Sequence, residues 1–452
     1  MSDREWQIGL FGTFDVRNYG DLLFPLIAQA ELAERLGRVK IHPFSYHAKA
    51  PPDWPYIVSS LAELPEMAGD LDAALIGGGY LVRFDKGVAY GYRPPTSAIH
   101  HPTGYWLTPA LIALQQGIPL IWNAPGMHCN EIPGWADPLM ELTFSLSRYI
   151  AVRDELTRES LSRFAGKNQI TVMPDTCFGI SRLLNGRRPT PEFARLRKAS
   201  GLPEQYIIVQ AALGLDRFFR FVRTHSRDLR DYQILALPVG PVLGDSEELV
   251  DCELPGLVRL RRWPQPLLLA ELISHAAAVV GHSYHLAITA LAFGVPVFTS
   301  ADLSVGKYTA LARFDNIYPI PVESDGDPGR FVARLGKTEP SMAARAAVDQ
   351  LNDHWDRIAT IIGEGATGTQ PAVNRFWQSV PNILEAASRH PDKSGSPELW
   401  NGVDARDDAL ALILADIVAR DNRIAAIYSS PSWRVTAPLR FLMRGLKRLA
   451  RR

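Results

Sequence analysis

The sequence predicts two Rossmann-like, doubly wound α/β domains followed by a C-terminal helical tail. Three observations predict this. Short β-rich runs alternate with helical patterns in both halves of the chain, the rhythm of parallel sheets covered on both faces. A polar Pro/Arg-rich stretch interrupts the rhythm at 185–203, and it restarts at Tyr206. The 452 residues, 46% of them hydrophobic, are too many for one ordinary core and enough for two domains with an extension. The predicted organisation is a first domain at 1–184, a linker at 185–203, a second domain at 204–365, a further linker region at 366–405 and a basic amphipathic tail at 406–452.

In the first half the strand candidates are Gln7–Phe14, Val39–Pro43, Ala73–Ile76, Pro119–Trp122, Tyr149–Val152 and Ile170–Met173. Helical patterns run between them at Asp21–Leu36, Leu107–Gln116, Pro138–Ser147 and Asp154–Phe164. The second half repeats the scheme with strands at Tyr206–Gln210, Tyr232–Leu237, Val258–Leu260, Ala278–Val280 and Val295–Thr299. Two such domains in tandem suggest a cleft faced by both sets of strand C-termini, where open α/β sheets bind ligands. This is the glycosyltransferase-B-like arrangement, although other two-domain α/β proteins pattern alike.

Beyond residue 365 the pattern weakens. Leu410, Ile413, Leu414, Ile417, Ile424 and Ile427 mark one face of a helix, with Arg420 in the seam, which fits a short docking helix better than a long coiled coil. From Pro431 onward there are seven cations and no acid. Trp433, Leu439, Phe441, Leu442, Met443 and Leu446 interleave with those cations, a pattern suited to peripheral contact with an anionic inner-membrane surface through 431–452 and equally to an ordinary solvated helix.

Composition excludes several classes. Lys plus Arg equals Asp plus Glu at 48 each, so a nucleic-acid partner is not expected. The three widely spaced cysteines, Cys129, Cys177 and Cys252, form neither a disulfide framework nor a zinc motif and point to a reducing compartment. The N-terminal residues carry no signal-peptide pattern, and no apolar run reaches the length of a membrane span. The expected location is cytoplasmic, peripheral to the inner membrane if the tail binds there.

Candidate site residues stand at strand-to-helix junctions. Asn18, Gly20 and Asp21 follow the first strand, where loop amides and polar side chains can hold an anion or a hydroxyl; a simple helix cap is the plainer alternative. Gly77, Gly78 and Gly79 follow Ala73–Ile76, where missing side chains let a ligand or a second backbone approach, or serve only a tight turn. Val152-Arg153-Asp154-Glu155 makes Asp154 a helix cap and leaves Arg153 to face the cleft; a surface pair with Asp175, in Pro174-Asp175, is the alternative. His282 and His285 open an Ala-rich helix after Val280, where the helix dipole favours a neutral imidazole able to bind phosphate or exchange a proton. His100-His101 lies in an aromatic, Pro-rich insertion, Tyr90 to Trp106, that suits a cleft-rim loop better than a metal site. His128-Cys129 carries little weight as a nucleophile pair. No metal constellation is visible.

Together these motifs resemble the polysaccharide pyruvyl transferase family over about residues 7–300. The matching features are Asn18-x-Gly20-Asp21, Gly77–Gly79, Val152-Arg-Asp-Glu155, Pro174-Asp175 and Ser283-Tyr-His285 with the following helix to Gly294-x-Pro296. The resemblance implies transfer of an enolpyruvyl-derived unit from phosphoenolpyruvate to a sugar, giving a pyruvate ketal on cell-surface polysaccharide. Phosphoenolpyruvate is then a co-substrate, with no cofactor, and the partner is a saccharide or lipid-linked sugar acceptor. Well-studied members carry Arg-x-His where this chain has Ser283-Tyr284-His285, and Arg153, Arg93 or Lys307 would have to supply the missing charge. The implied roles are catalysis by His285 with Asp21 or Asp175 as base, donor binding by Arg153, His282, Ser283 and Lys307, and acceptor binding by Asn18, Gly20 and Gly77–Gly79. The tail, Ser430-x-Ser-Trp-Arg-x-Thr-x-Pro-Leu-Arg440, is similar to those on bacterial glycosyltransferases. Two rival readings stand: a nucleotide-sugar glycosyltransferase binding its nucleotide near Gly240–Asp245 and 281–285, and a non-catalytic polysaccharide-assembly protein.

Overall fold

In a computed structural model, two parallel sheets carry the fold. It describes residues 4–52, 54–84, 101–128, 131–166, 169–184, 188–250, 253–260, 262–321, 328–365, 378 and 381. The expected tail at 406–452, the linker region at 366–405 and its docking-helix seam lie outside the described residues. All of the described residues fall within one compact unit, Met1–Tyr92 with His100–Leu384.

In chain order the strands are β1 (Trp6–Phe11), β2 (Val39–Ser45), β3 (Ser59–Ser60), β4 (Ala73–Ile76), β5 (Gly79–Val82), β6 (Leu120–Asn123), β7 (Pro125–Met127), β8 (Ser147–Val152), β9 (Ile170–Val172), β10 (Tyr206–Gln210), β11 (Gln233–Leu237), β12 (Leu257–Arg259), β13 (Ala278–Val280), β14 (Val297–Thr299) and β15 (Ile317–Pro319). The first sheet has the order β3-β2-β1-β4-β6-β8-β9 and the second β12-β11-β10-β13-β14-β15. The paired strands within them run parallel throughout. Each sheet reverses its winding once, between β1 and β4 and between β10 and β13, which are the doubly wound switch points. The expected pair of doubly wound α/β domains is therefore observed.

Alternation along the strands explains the packing. Ile8 and Leu10 of β1 and Ile208 of β10 enter one core that runs continuously through both sheets. Phe11, Trp106, Trp122 and Phe144 fill the other face of the first sheet, and Ile207, Val209, Phe218 and Phe331 that of the second. These strands read as nearly unbroken apolar runs because both faces are covered.

Two segments differ from expectation. The stretch read as a linker contains a helix, Pro191–Ser200, capped by Thr190 and anchored by buried Phe193, whose ring stacks on His275 at 4.7 Å. Its polar outer face hid the element. The long helix Met342–Glu364, read with the second domain, buries Ala347, Leu351, Trp355, Ile358 and Ile362 and packs against the helix Tyr19–Leu36 of the first. His354 anchors that crossing: its ring bonds Asn123 Oδ1 at 2.9 Å and the Tyr149 hydroxyl at 3.0 Å.

Candidate functional site

The loops leaving both switch points meet. The Tyr19 amide donates to the Val239 carbonyl at 3.0 Å and the Val242 amide to the Arg17 carbonyl at 3.2 Å. The Tyr19 hydroxyl bonds Thr289 Oγ1 at 2.8 Å. Residues from β1, β4, β8, β9 and β13 are thereby brought to one place, the edge where doubly wound sheets bind ligands.

Asn18 and Asp21 sit on the first-domain side. The helix begins at Tyr19, two residues before the expected start, so Asn18 is its N-cap position and Asp21 lies in its first turn. Neither side chain caps the helix. Asn18 Nδ2 donates to Asp21 Oδ2 at 3.0 Å instead, with both residues buried. Burial pushes the Asp21 carboxyl up to about 6, against the pull of His285, of hydrogen bonds from Thr13 and Asn18, and of Arg153. The glycine triplet has steric reasons. A side chain at Gly77 would meet the Phe11 carbonyl at 2.7 Å, one at Gly78 would overlap the Phe24 ring, and Gly79 has φ +88°.

Asp175 is the electrostatic centre. Arg153 Nη1 donates to Asp175 Oδ2 at 3.0 Å, and the Cys177 amide donates to Oδ1 at 3.0 Å. His285 Nε2 lies 3.6 Å from Asp175 Oδ2, just beyond hydrogen-bond length. Burial alone would raise the Asp175 carboxyl, but His285, Arg153 and the Cys177 amide together hold it well below the ordinary carboxylate range. The imidazole of His285 rests against Gly20, in the space a side chain there would fill, and meets Phe24 edge to face at 5.7 Å.

Arg153 departs from its expected position. It does not face open solvent: its side chain is 2% exposed, and its guanidinium lies 4.2 Å from the Tyr80 ring and 4.9 Å from that of Tyr284. Two aromatic faces and a carboxylate together offset the cost of burying the charge. The Arg153–Asp175 pair, read from sequence as the surface alternative, forms as an interior one. The neighbouring Asp154 caps its helix as expected, accepting from the Thr157 amide at 2.8 Å.

On the second-domain side, Gln210 Oε1 accepts the amides of His282 and Ser283 at 2.9 and 2.8 Å. Gln210 Nε2 donates to Asp245, whose Oδ2 also takes the amides of Val239 and Gly240, each at 2.9 Å. Ser283 is the N-cap of the helix Tyr284–Ala292. His282 is half-buried, and burial together with Lys307 lowers its pKa despite Asp245. Lys307, also partly buried, approaches the Tyr308 and Tyr284 rings at 5.1 and 5.9 Å. Burial and Arg153 bring its ammonium down to about 8, although Asp21 and Asp175 pull the other way.

The structure therefore gathers Asn18, Gly20, Asp21, Gly79, Arg153, Asp175 and His285 closely, with Lys307, His282 and Ser283 on the second-domain wall. Arg93, His100 and Cys129 lie outside the described residues. Tyr80, Cys177, Gln210 and Tyr284 were missed by sequence reasoning. Tyr80 directly follows the glycine triplet and Tyr284 is the middle of Ser283-Tyr-His285, so adjacency to a motif was the available signal. Asp175, Cys177 and His285 place ligand-type atoms within 4.8 Å of one another. The guanidinium already on Asp175, and a Cys177 thiol pushed well up by burial, oppose a dication there. Among the described residues no helix is long and apolar enough to cross a membrane.

Comparison with solved structures finds UDP-GlcNAc 2-epimerase from Methanocaldococcus jannaschii at a TM-score of 0.51 and 12% identity, covering 80% of this chain and 100% of that one. UDP-GlcNAc 2-epimerase from Neisseria meningitidis, bound to UDP-GlcNAc, gives 0.47 and 13%, covering 84% and 99%. At such identities the first likeness is one of fold, the two-domain glycosyltransferase-B arrangement, and the second adds no argument. No curated protein matches the chain. The family model described as polysaccharide pyruvyl transferase matches residues 18–301, from Asn18 of the first loop past His285 of the second domain. That match spans more than half of the chain, and the chain belongs to the polysaccharide pyruvyl transferase family.

Proposed function

We propose that this transferase moves a pyruvyl unit from phosphoenolpyruvate to two hydroxyls of one sugar in a cell-surface polysaccharide or its precursor. The observation that carries the reading is His285 set against Asp175 at the meeting of the two switch points, in a chain of this family. His285 gives a proton to the donor's methylene carbon, which becomes the ketal methyl. The adjoining carbon takes on cation character and is attacked by one sugar hydroxyl. The carbon–oxygen bond to phosphate breaks, and a second hydroxyl closes the ketal. Of the two hydroxyl protons released, one replaces that given by His285 and the other leaves on phosphate.

Asp175 faces the imidazole Nε2, and His285, Arg153 and the Cys177 amide keep Asp175 ionised. Asp21 accepts a hydroxyl proton, and Asn18 with the Gly77–Gly79 loop positions the acceptor. With Arg153 enclosed, Lys307 is the better-placed cation for the donor's carboxylate or phosphate, assisted by His282 and the Ser283 loop. Phosphoenolpyruvate is a co-substrate, and the chemistry needs no cofactor or metal. A cytoplasmic reaction on a saccharide or lipid-linked sugar, with the 431–452 tail at the membrane surface, completes the reading.

Ligand-induced thermal stabilisation with phosphoenolpyruvate, UDP and GDP in parallel tests it. Stabilisation by phosphoenolpyruvate alone, with phosphate release on adding acceptor and its loss in His285→Ala, is the expected result. Stabilisation by a nucleotide alone would replace the proposal with nucleotide-sugar transfer; the engagement of Asp245 with Gln210 and two amides weighs against that. Silence from all three with folded protein would favour a non-catalytic assembly role.

A further inference from the structure

The first sheet carries an extension whose far end the mechanism does not use. Beyond β4 the chain turns through Gly77 and Gly78, and beyond β6 through Ala124, whose φ is +53°. Both then continue as β5 and β7, a parallel pair outside the seven-stranded sheet, with Gly79 opposite Pro125 and Val82 opposite Met127. The near end of this ribbon belongs to the site, since Gly79 adjoins Asp21 and Tyr80 stacks on Arg153. Phe84 lies just past its far end. Five residues at about 3.3 Å each put Phe84 at most about 17 Å from Gly79.

There an indole stands in the open. Trp135 is 46% exposed, yet its ring is braced on two sides. Phe84 meets it at 5.9 Å and His101 at 5.7 Å, both edge to face, and Phe84 in turn packs on the fully buried Trp106 at 6.1 Å. His101 is fixed by Thr103 Oγ1, 2.9 Å from its Nδ1. Next to the turn bearing Trp135, Gly134–Ala136, Arg163 reaches Asp137 at 2.5 Å. Scattered exposed aliphatic residues need no explanation. A large aromatic ring braced on two sides, half open and flanked by a polar ring is different, because it presents a large contact area on a side chain with few rotamers. Sugars offer the complementary surface: an apolar C–H face for the ring and hydroxyls for its polar neighbours.

We propose that Trp135, braced by Phe84 and His101 at the far end of the β5–β7 ribbon, is a stacking subsite for an acceptor sugar ring remote from the one that reacts. This rests on the reading of the acceptor as a glycan. The ribbon is the path between the two rings, and the subsite selects acceptors longer than a monosaccharide.

Saturation-transfer NMR on the full chain tests this, using gluco-, galacto- and manno-configured tetrasaccharides with the matching methyl glycosides. The expected result is binding of at least one tetrasaccharide, weakened about tenfold or more in Trp135→Ala and largely kept in Trp135→Phe, with weak methyl glycoside binding unchanged. Thermal melts of both variants confirm folding. Equal tetrasaccharide affinity in wild type and Trp135→Ala overturns the proposal, as does a lack of binding by every tetrasaccharide. Phosphoenolpyruvate stabilisation, measured separately, tells the two failures apart. A donor response with no role for Trp135 sinks only the subsite, and Trp135-dependent glycan binding without a donor response sinks only the donor assignment.

Discussion

The imidazole of His285, from the second domain, occupies the space that a side chain at Gly20 of the first domain would fill. Gly20 lies in the first turn of a helix, where glycine is less favourable than alanine by up to about 1 kcal/mol. The local cost is accepted because only a hydrogen at that position lets the two switch points close on each other.

Gly20→Ala therefore separates helix propensity from fit. The methyl overlaps the His285 ring, so the imidazole is displaced from Asp175. Pyruvyl transfer is expected to fall about 100-fold, the scale of a misplacement near 1 Å, while the far-UV spectrum is unchanged. Wild-type rates in Gly20→Ala would show that His285 is not held where the structure has it.

The interior pair Arg153–Asp175 should behave asymmetrically. Arg153→Met removes the guanidinium from buried Asp175, leaving it the Cys177 amide and His285, and is expected to cost about 3 kcal/mol in urea unfolding. Arg153→Met combined with Asp175→Leu should cost less than the sum of the single changes, because no charge is stranded. Arg153→Lys should not restore the wild type, since an ammonium cannot stack between Tyr80 and Tyr284 as a guanidinium does. Strict additivity in this cycle would contradict a direct pair.

Stability should fall from neutral pH toward acid through His354. Burial lowers its pKa to about 3, while an unfolded histidine titrates near 6.5. Above pH 6.5 the ring is neutral in both states and contributes no pH dependence. Between about pH 6.5 and 3 the unfolded chain takes up a proton that the folded chain refuses, so stability drops as pH falls. Asp21 acts oppositely: with a folded pKa of about 6 it takes up a proton before the unfolded chain does, and stability is gained as pH falls from 6 to about 4. Asp175, held low, loses its contribution only below about pH 4. Denaturant midpoints measured from pH 7.5 to 5 should decline less steeply in His354→Gln and more steeply in Asp21→Asn.

Donor affinity should carry the signature of Lys307. Its ammonium, brought down to about 8, binds an anion only while protonated. The KM for phosphoenolpyruvate is expected to rise as pH passes through 8, with kcat affected less. Lys307→Met should raise KM below about pH 8, where the wild-type ammonium is charged, and remove that rise. A KM profile unaltered by the substitution would assign donor recognition elsewhere.

Much of the fold was legible because alternation and periodicity are local. Ala73–Ile76, Tyr206–Gln210 and Ala278–Val280 have the expected bounds, since each is a short apolar run closed by a polar or glycine boundary. Short elements escaped: β5 and β7, at four and three residues, begin beyond the backbone turns at Gly77–Gly78 and Ala124, which no hydrophobic period marks. The helix Met342–Glu364 shows its apolar stripe, but nothing local says that the stripe crosses back to the first sheet. The same division holds at the site. By itself the sequence determined the doubly wound class and the family-bearing loops at Asn18–Asp21, Gly77–Gly79, Asp175 and His285. Tertiary structure alone decided that Arg153 lies buried between two tyrosines, that Asp175 meets His285, and that Gly20 makes room for it. Those contacts join residues far apart in the chain, and burial and pairing depend on which surfaces the folded domains bring together.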